Sequence, residues 1–313
     1  MVGMLVSSRF RLVTRSDFDG LVCAVLLREL DLIDDISFVH PKDMQDGVVP
    51  ITDRDITTNL PYVDGAHLVF DHHLSETVRN RPHENHIIDP EAPSAARVVY
   101  DFYGGPKAFP RVSVEMMEAV DKADSARFSL DEVISPKGWV LLNFVMDART
   151  GLGRFRDFRI SNYDLMMQLI DACRDHTIDE VLALPDVAER VDLYQDQQQL
   201  FRAQLDRCTT VEGNLAVVDL LDEQTIYAGN RFMVYALHPE TNISMHVMQG
   251  KQGQNVVMAV GKSIFNRTSK TDIGPLMLRY GGGGHANAGT CQVAHHEADR
   301  VRFELIRKIT ADG

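Results

Sequence analysis

The sequence predicts an α/β protein with an N-terminal parallel sheet, helices on both of its faces, a helical linker and a smaller C-terminal α/β domain. Short apolar runs alternate with an amphipathic helical run in the first part of the chain, which is typical of a parallel sheet. Residues 160–207 carry apolar positions at helical spacing, and short apolar segments separated by Gly and Asn turns follow residue 213. The predicted domains are therefore 1–207, which includes the helical connector, and 208–313.

The first domain is expected to contain four strands and three helices before the connector. The strands are predicted over residues 10–14, 36–40, 48–53 and 67–71, and the helices over 21–30, 94–103 and 112–124. In the second domain we expect strands over 215–220, 231–237, 243–250 and 255–261, and a final helix over 297–309.

Composition restricts the partners of this protein. The chain has 32 basic and 45 acidic residues and a formal net charge of −13, which disfavours binding to long or duplex nucleic acid. No apolar run is long enough to span a membrane, and the start of the chain carries no cleavage-like site, so neither a membrane span nor a targeting segment is expected. The four cysteines are scattered without a C-x-x-C pair, which predicts a reduced, cytoplasmic protein.

Acidic side chains recur where the predicted strands end. Asp17 and Asp19 follow the first strand, Asp53 and Asp55 accompany the third, and Asp71 ends the fourth. Ligands of parallel sheets bind beyond the carboxyl ends of the strands, so these acids indicate a site at one edge. The alternative for the first pair is that Asp17 or Asp19 caps the following helix.

Three further groups of residues carry potential chemistry. Asp71-His72-His73 supplies metal ligands, because one imidazole can bind an ion while Asp71 orients an imidazole and the other His faces the substrate. Asp121 and Asp124 lie three residues apart and share a helix face, although either could be a solvated charge. The run 281–284 followed by His285 could offer backbone N–H groups to a phosphate, with Arg267 nearby, or could be a flexible hinge.

Taken together, SDFDG (16–20), FDHH (70–73) and GGGGHANAG (281–289) resemble the DHH phosphoesterase superfamily over nearly the whole chain. The resemblance implies a DHH domain followed by a DHH-associated domain, and hydrolysis of phosphoester or phosphoanhydride bonds with Mn²⁺ or Mg²⁺. Sequences of this two-domain type are often labelled exopolyphosphatase-like, and Asp124-Ser-Ala-Arg-Phe resembles the oligoribonuclease-like branch.

The resemblance also implies a role for each matching residue. Asp17 would bind one metal ion, Asp19, His72 and Asp124 the other, and Asp55, or alternatively Asp53, would bridge them. In the same way, His73 would touch the scissile phosphate. The far phosphate would be held by Gly282, Gly283, Gly284 and His285.

Arg15 departs from the family pattern, in which a His or Asp precedes the paired aspartates. Arg cannot coordinate a cation, so one or two ions could bind. Either Arg15 partly replaces the first ion and holds a phosphate oxygen, or it turns outward and pairs with a surface acid. We expect an enzyme that acts on a small phosphorylated substrate, such as a short single-stranded oligonucleotide, a nucleotide or polyphosphate. The alternative is a catalytically weak nucleotide sensor, and a homodimer is left open.

Overall fold

A computed structural model describes residues 9–155 and 158–313, apart from the side chain of Val78. Residues 1–8, where no targeting segment is expected, lie outside this range. The described chain forms two compact units, the first from 9–127, 137–147 and 158–191, and the second from 128–136, 148–155 and 192–313. The domain limits expected from the sequence differ from these units in assigning the whole segment up to 207 to the first domain.

The first unit is built on a five-stranded sheet in which every pair of neighbours is parallel. Its strands are β1 (Phe10–Thr14), β2 (Ile33–Phe38), β3 (Asp55–Thr58), β4 (Leu68–Asp71) and β5 (His86–Ile88). Their order is β2-β1-β3-β4-β5. Leu12 and Val13 of β1 have no exposed surface, as expected for a parallel sheet covered on both faces. The parallel α/β architecture predicted from the sequence is confirmed.

Helices occupy most of the chain between and after these strands. In chain order they are α1 (Phe18–Glu29), α2 (Pro41–Gln45), α3 (Leu74–Arg79), α4 (Ala95–Phe102), α5 (Val114–Asp124), α6 (Leu130–Ile134), α7 (Gly138–Met146), α8 (Asn162–Asp175), α9 (Ile178–Leu182) and α10 (Pro185–Cys208). Helix α1 is buried from Phe18 to Leu27, where it packs against α4, α5 and α8. It therefore holds the first turn after β1 rigidly against the helices around it.

The third predicted strand was placed wrongly. Residues 48–53 form loop and turn, and the strand next to β1 is Asp55–Thr58. Pro50 has no N–H for a central ladder, which explains why the apolar run around it does not form a strand. As a result Asp55 begins a strand instead of following one.

The second unit contains a six-stranded mixed sheet. Its strands are β6 (Thr209–Glu212), β7 (Leu215–Asp219), β8 (Ile243–Gln249), β9 (Val256–Lys262), β10 (Gly283–His285) and β11 (Ala288–Val293), in the order β10-β11-β9-β8-β7-β6. Its later helices are α11 (Met233–Leu237), α12 (Ile273–Leu278) and α13 (His295–Asp312).

The strand predicted over 231–237 is wrong, because this segment contains α11. Strands β7 and β8 are parallel, and parallel neighbours need a crossover connection, which α11 helps to supply. Elsewhere in this unit Val301, Leu305 and Ile309 of α13 pack into the core of the sheet. Within the described residues, no helix combines the length and the apolar character needed to cross a membrane.

Candidate active site

Polar residues gather where β1, β3 and β4 end. The segment from Arg15 to Asp19 follows β1, Asn59 follows β3, and Asp71, His72 and His73 end or follow β4. These strands are adjacent and parallel, so their carboxyl ends lie along one edge of the sheet. Asp124, the last residue of α5, reaches the same place, as its contact with His72 shows.

The turn after β1 is fixed by its backbone. Asp17 is the N-cap of α1 and accepts a hydrogen bond from the Gly20 N–H at 3.0 Å, so the capping interpretation holds for Asp17. A Cβ atom on Gly20 would lie 2.0 Å from the carbonyl oxygen of Arg15. Glycine is therefore needed because two segments of backbone approach each other closely.

Asp19, in the first turn of α1, is buried against the beginning of α4. Its side-chain oxygens accept hydrogen bonds from the backbone N–H groups of Ala95 at 3.0 Å and Ala96 at 2.8 Å. Burial, with the nearby charge of Asp124, raises the pKa of Asp19 to about 7 in the metal-free protein. The N-terminus of α4 thus stabilises the Asp19 carboxylate through two backbone N–H groups.

Asp19, His72 and Asp124 form a cluster whose ligand atoms all lie within 4.8 Å of one another. The Nδ1 atom of His72 lies 3.1 Å from the carbonyl oxygen of Ala92, which favours a donor there and leaves Nε2 for a ligand. Asp124 Oδ2 lies 2.9 Å from this Nε2, yet the buried Nε2 has no aligned hydrogen-bond partner. Two carboxylates and a buried imidazole nitrogen that faces one of them fit a divalent ion such as Mn²⁺ or Mg²⁺.

The charges of His72 and Asp124 act on each other. Burial lowers the pKa of His72, but its contact with Asp124 outweighs burial and raises that pKa to about 9. Burial likewise raises the pKa of Asp124, and His72 reverses that effect, so the net pKa lies below its usual value. His72 and Asp124 thus each favour the charged form of the other.

His73 is held by Asp71. Asp71 has no exposed surface, and its Oδ1 lies 2.7 Å from Nδ1 of His73 and accepts the N–H of His72 at 2.8 Å. Burial lowers the pKa of His73, but the hydrogen bond and charge of Asp71 outweigh it and raise the net pKa. About two fifths (42%) of the His73 side chain is exposed, so Nε2 belongs to an accessible ring whose orientation is fixed.

Arg15 pairs with an acid of the site itself. Its Nε lies 3.1 Å from Oδ2 of Asp17, and 31% of the Arg15 side chain is exposed. Of the two alternatives left open by the sequence, this geometry agrees with the one in which Arg15 stays beside the carboxylates.

Sequence reasoning missed Asn59. It is 1% exposed, and its Nδ2 donates to Oδ1 of Asp17 at 3.2 Å. The only signal for it in the sequence is a polar residue before Leu60-Pro61, and the misplaced third strand concealed its position.

Asp55 lies at the other end of the strands. In the register of the sheet it is level with Arg11 at the beginning of β1, whereas Thr58 is level with Thr14 at the end. Arg11 donates to both Asp55 oxygens, at 2.8 and 3.0 Å, and these bonds depress the pKa of Asp55 although burial opposes them. The structure does not bring Asp55 to the cluster, and Asp53 is exposed in the preceding turn.

The glycine-rich run is more ordered than the sequence suggested. The N–H groups of Gly281 and Gly282 donate to carbonyl oxygens of α12, so they are not available to a phosphate. Gly283, Gly284 and His285 form β10, and a Cβ on Gly284 would lie 2.3 Å from the Ala288 oxygen. Gly283 and Gly284 therefore belong to a paired strand and do not form a flexible hinge.

Two exposed side chains of the second unit remain candidates for substrate binding. The Nδ1 atom of His285 accepts the N–H of Asn287 at 3.3 Å, so the ring has a preferred orientation. Arg267 is anchored through Nε, which donates to the Ile264 carbonyl oxygen at 3.0 Å.

Comparison with solved structures identifies the family. The chain is similar to the pGpG-specific phosphodiesterase PggH of Vibrio cholerae, with 65% identity, a TM-score of 0.87, and coverage of 97% of this chain and 100% of that one. It also shares its fold with RecJ of Thermus thermophilus, solved with Mn²⁺, at 14% identity and a TM-score of 0.59 over 97% of this chain and 52% of that one. No protein-family model and no curated protein matches the sequence.

The chain belongs to the DHH family of phosphoesterases. It is a metal-dependent hydrolase of phosphoester bonds, and the alternative of an inactive sensor is not favoured.

Proposed function

We propose that this protein is a phosphodiesterase that hydrolyses short oligoribonucleotides, with linear diguanylate, pGpG, as a substrate. The observation that carries the proposal is the cluster of Asp19, His72 and Asp124, which presents three ligand atoms within 4.8 Å. Similarity over 97% of the chain to a pGpG-specific enzyme supports the choice of substrate.

In this proposal one divalent ion binds to Asp19, His72 and Asp124, and a site at Asp17 is weak or empty. Mn²⁺ is favoured over Mg²⁺ because one ligand is an imidazole nitrogen. A bound ion supplies Lewis-acid stabilisation of phosphoryl oxygens and lowers the pKa of water.

The other groups of the site act on the substrate directly. His73, oriented by Asp71, donates from Nε2 to the scissile phosphate and stabilises charge that develops there. Arg15 neutralises Asp17 and holds a phosphate oxygen with its terminal nitrogens. In the second unit, His285, Gly283, Gly284 and Arg267 bind a phosphate of the substrate.

The test is a comparison of substrates with the purified protein and either Mn²⁺ or Mg²⁺. We expect conversion of pGpG to GMP, followed by chromatography, to exceed the turnover of longer oligonucleotides, polyphosphate and adenosine bisphosphate. Faster phosphate release from polyphosphate would instead support the exopolyphosphatase-like activity. Cytoplasmic location and a homodimer remain predictions, the first resting on the free thiols at Cys23, Cys173, Cys208 and Cys291.

A further inference from the structure

We infer that Asn59 and Arg15 together limit the site to a single divalent ion by keeping the Asp17 half of the edge electrically neutral. The inference rests on the proposed function, because it concerns the same metal-binding edge. It assigns to Asn59 a positioning role that the sequence did not suggest.

Asn59 lies at the centre of the edge. Strand β3, which it follows, is the third of five strands, with β1 on one side and β4 on the other. The Asn59 N–H donates to the carbonyl oxygen of Phe70 at 3.1 Å, which places Asn59 beside the end of β4, where Asp71 lies. A charge at position 59 would therefore act on both halves of the site.

The side-chain amide of Asn59 donates a hydrogen bond to Asp17. Asp17 already receives the Asn59 Nδ2 at 3.2 Å, the Gly20 N–H at 3.0 Å and Nε of Arg15 at 3.1 Å. A second cation at Asp17 would have to displace at least one of these donors. The Arg15–Asp17 pair is neutral and Asn59 adds no charge, so little electrostatic attraction remains for such a cation.

The backbone conformation at position 59 favours Asn. Asn59 has φ of +54°, in the left-handed region that Asn tolerates better than most residues. Its Oδ1 is buried without a hydrogen-bond partner among the described residues. A carboxylate here would place a second negative charge about 3 Å from Asp17, which raises the pKa of one of the two carboxyl groups unless a cation lies between them.

The two halves of the edge thus differ in charge. Asp19 and Asp124 contribute two carboxylates, and among the described residues they belong to the one cluster with three ligand atoms close together. Arg15, Asp17 and Asn59 contribute no net charge. Arg15 pairs with Asp17 through Nε. In the proposed function its Nη atoms hold a phosphate oxygen.

Calorimetric titration with Mn²⁺ tests the inference on four proteins: wild type, Asn59→Asp, Arg15→Ala and Asn162→Asp. The last is the matched control, because it adds the same charge at an exposed position of the first unit. We expect one ion per chain for wild type and the control, and a second ion for Asn59→Asp and for Arg15→Ala. Circular dichroism checks that each variant is folded. Arg15→Ala, a change at a partly exposed side chain, decides the question if Asn59→Asp does not fold.

Two ions of similar affinity in the wild type, or one ion in both site variants, would overturn the inference. Hydrolysis of pGpG by wild type is measured on the same samples. Hydrolysis with two bound ions would leave the proposed phosphodiesterase activity standing, while the inference and the one-ion part of the proposal fail. One bound ion in the wild type and two in the site variants, without hydrolysis of pGpG, would support the inference and contradict the proposed function.

Discussion

Asp124 at the end of α5 lies 2.9 Å from the imidazole of His72 in the turn after β4. This contact joins a helix to the edge of the sheet and, with Asp19 in the first turn of α1, completes a three-residue cluster. Each of the three residues comes from a different element, so the cluster exists only in the folded first unit.

Replacing His72 or Asp124 with Ala should weaken Mn²⁺ binding and pGpG turnover about tenfold or more, because loss of one ligand removes a third of the cluster. Calorimetry and a GMP-release assay measure the two effects. Asp53→Ala is the control, since Asp53 is exposed in a turn and should leave both unchanged. Undiminished Mn²⁺-dependent turnover in His72→Ala would refute the assignment.

Asp55→Asn should lower the free energy of unfolding at pH 7 by about 1–3 kcal/mol, because it weakens a charged hydrogen bond with Arg11. The pKa of Asp55 is depressed in the folded protein, so its stabilisation is present above the unfolded pKa and disappears as pH falls. Urea denaturation should therefore show a smaller difference from wild type near pH 3. Mn²⁺ affinity should not change, and a large loss of affinity would restore Asp55 as a metal ligand.

Asp121→Asn should weaken Mn²⁺ binding roughly tenfold, the magnitude typical of a residue that orients a ligand. Asp121 accepts Ser94 Oγ at 2.8 Å and Arg97 Nε at 3.0 Å, and thereby fixes α5 to the first turn of α4. That turn binds Asp19, and α5 carries Asp124, so Asp121 sets the distance between two candidate ligands.

Asp101→Asn is the matched control for this experiment, because Asp101 is exposed and its nearest approach to Arg97 is 3.9 Å. Titrations with Mn²⁺ should separate the two variants even where their thermal stabilities are alike. Equal affinities for Mn²⁺ would show that Asp121 has only a structural role.

His285→Ala should raise KM for pGpG while leaving the Mn²⁺ content unchanged. His285 is exposed on β10 of the second unit, whereas the three clustered residues belong to the first. Steady-state kinetics and metal analysis measure the two quantities. Loss of manganese with an unaltered KM would contradict a role in substrate binding.

Local patterns predicted the elements whose identity depends on nearby residues. The strand over Phe10–Thr14 and the helices over 95–102 and 114–124 agree with the apolar periodicity, because the spacing of apolar residues along the chain indicates which face of an element is buried. The third strand was misplaced because the apolar run around Pro50 resembles a strand more closely than the polar DITT does. Its pairing with β1 is a long-range contact that no local pattern encodes.

The sequence by itself predicted the fold class and the family resemblance, and it singled out Asp19, His72 and Asp124 as candidate metal ligands, since these inferences depend on residue types in a fixed order. Only the tertiary structure decided which acids meet. Parallel pairing places Asp55 level with Arg11 at the amino end of the strands and brings Asn59 to Asp17 at the carboxyl end. The physical reason is that strand register and helix packing, and not proximity along the chain, determine which charges are buried together.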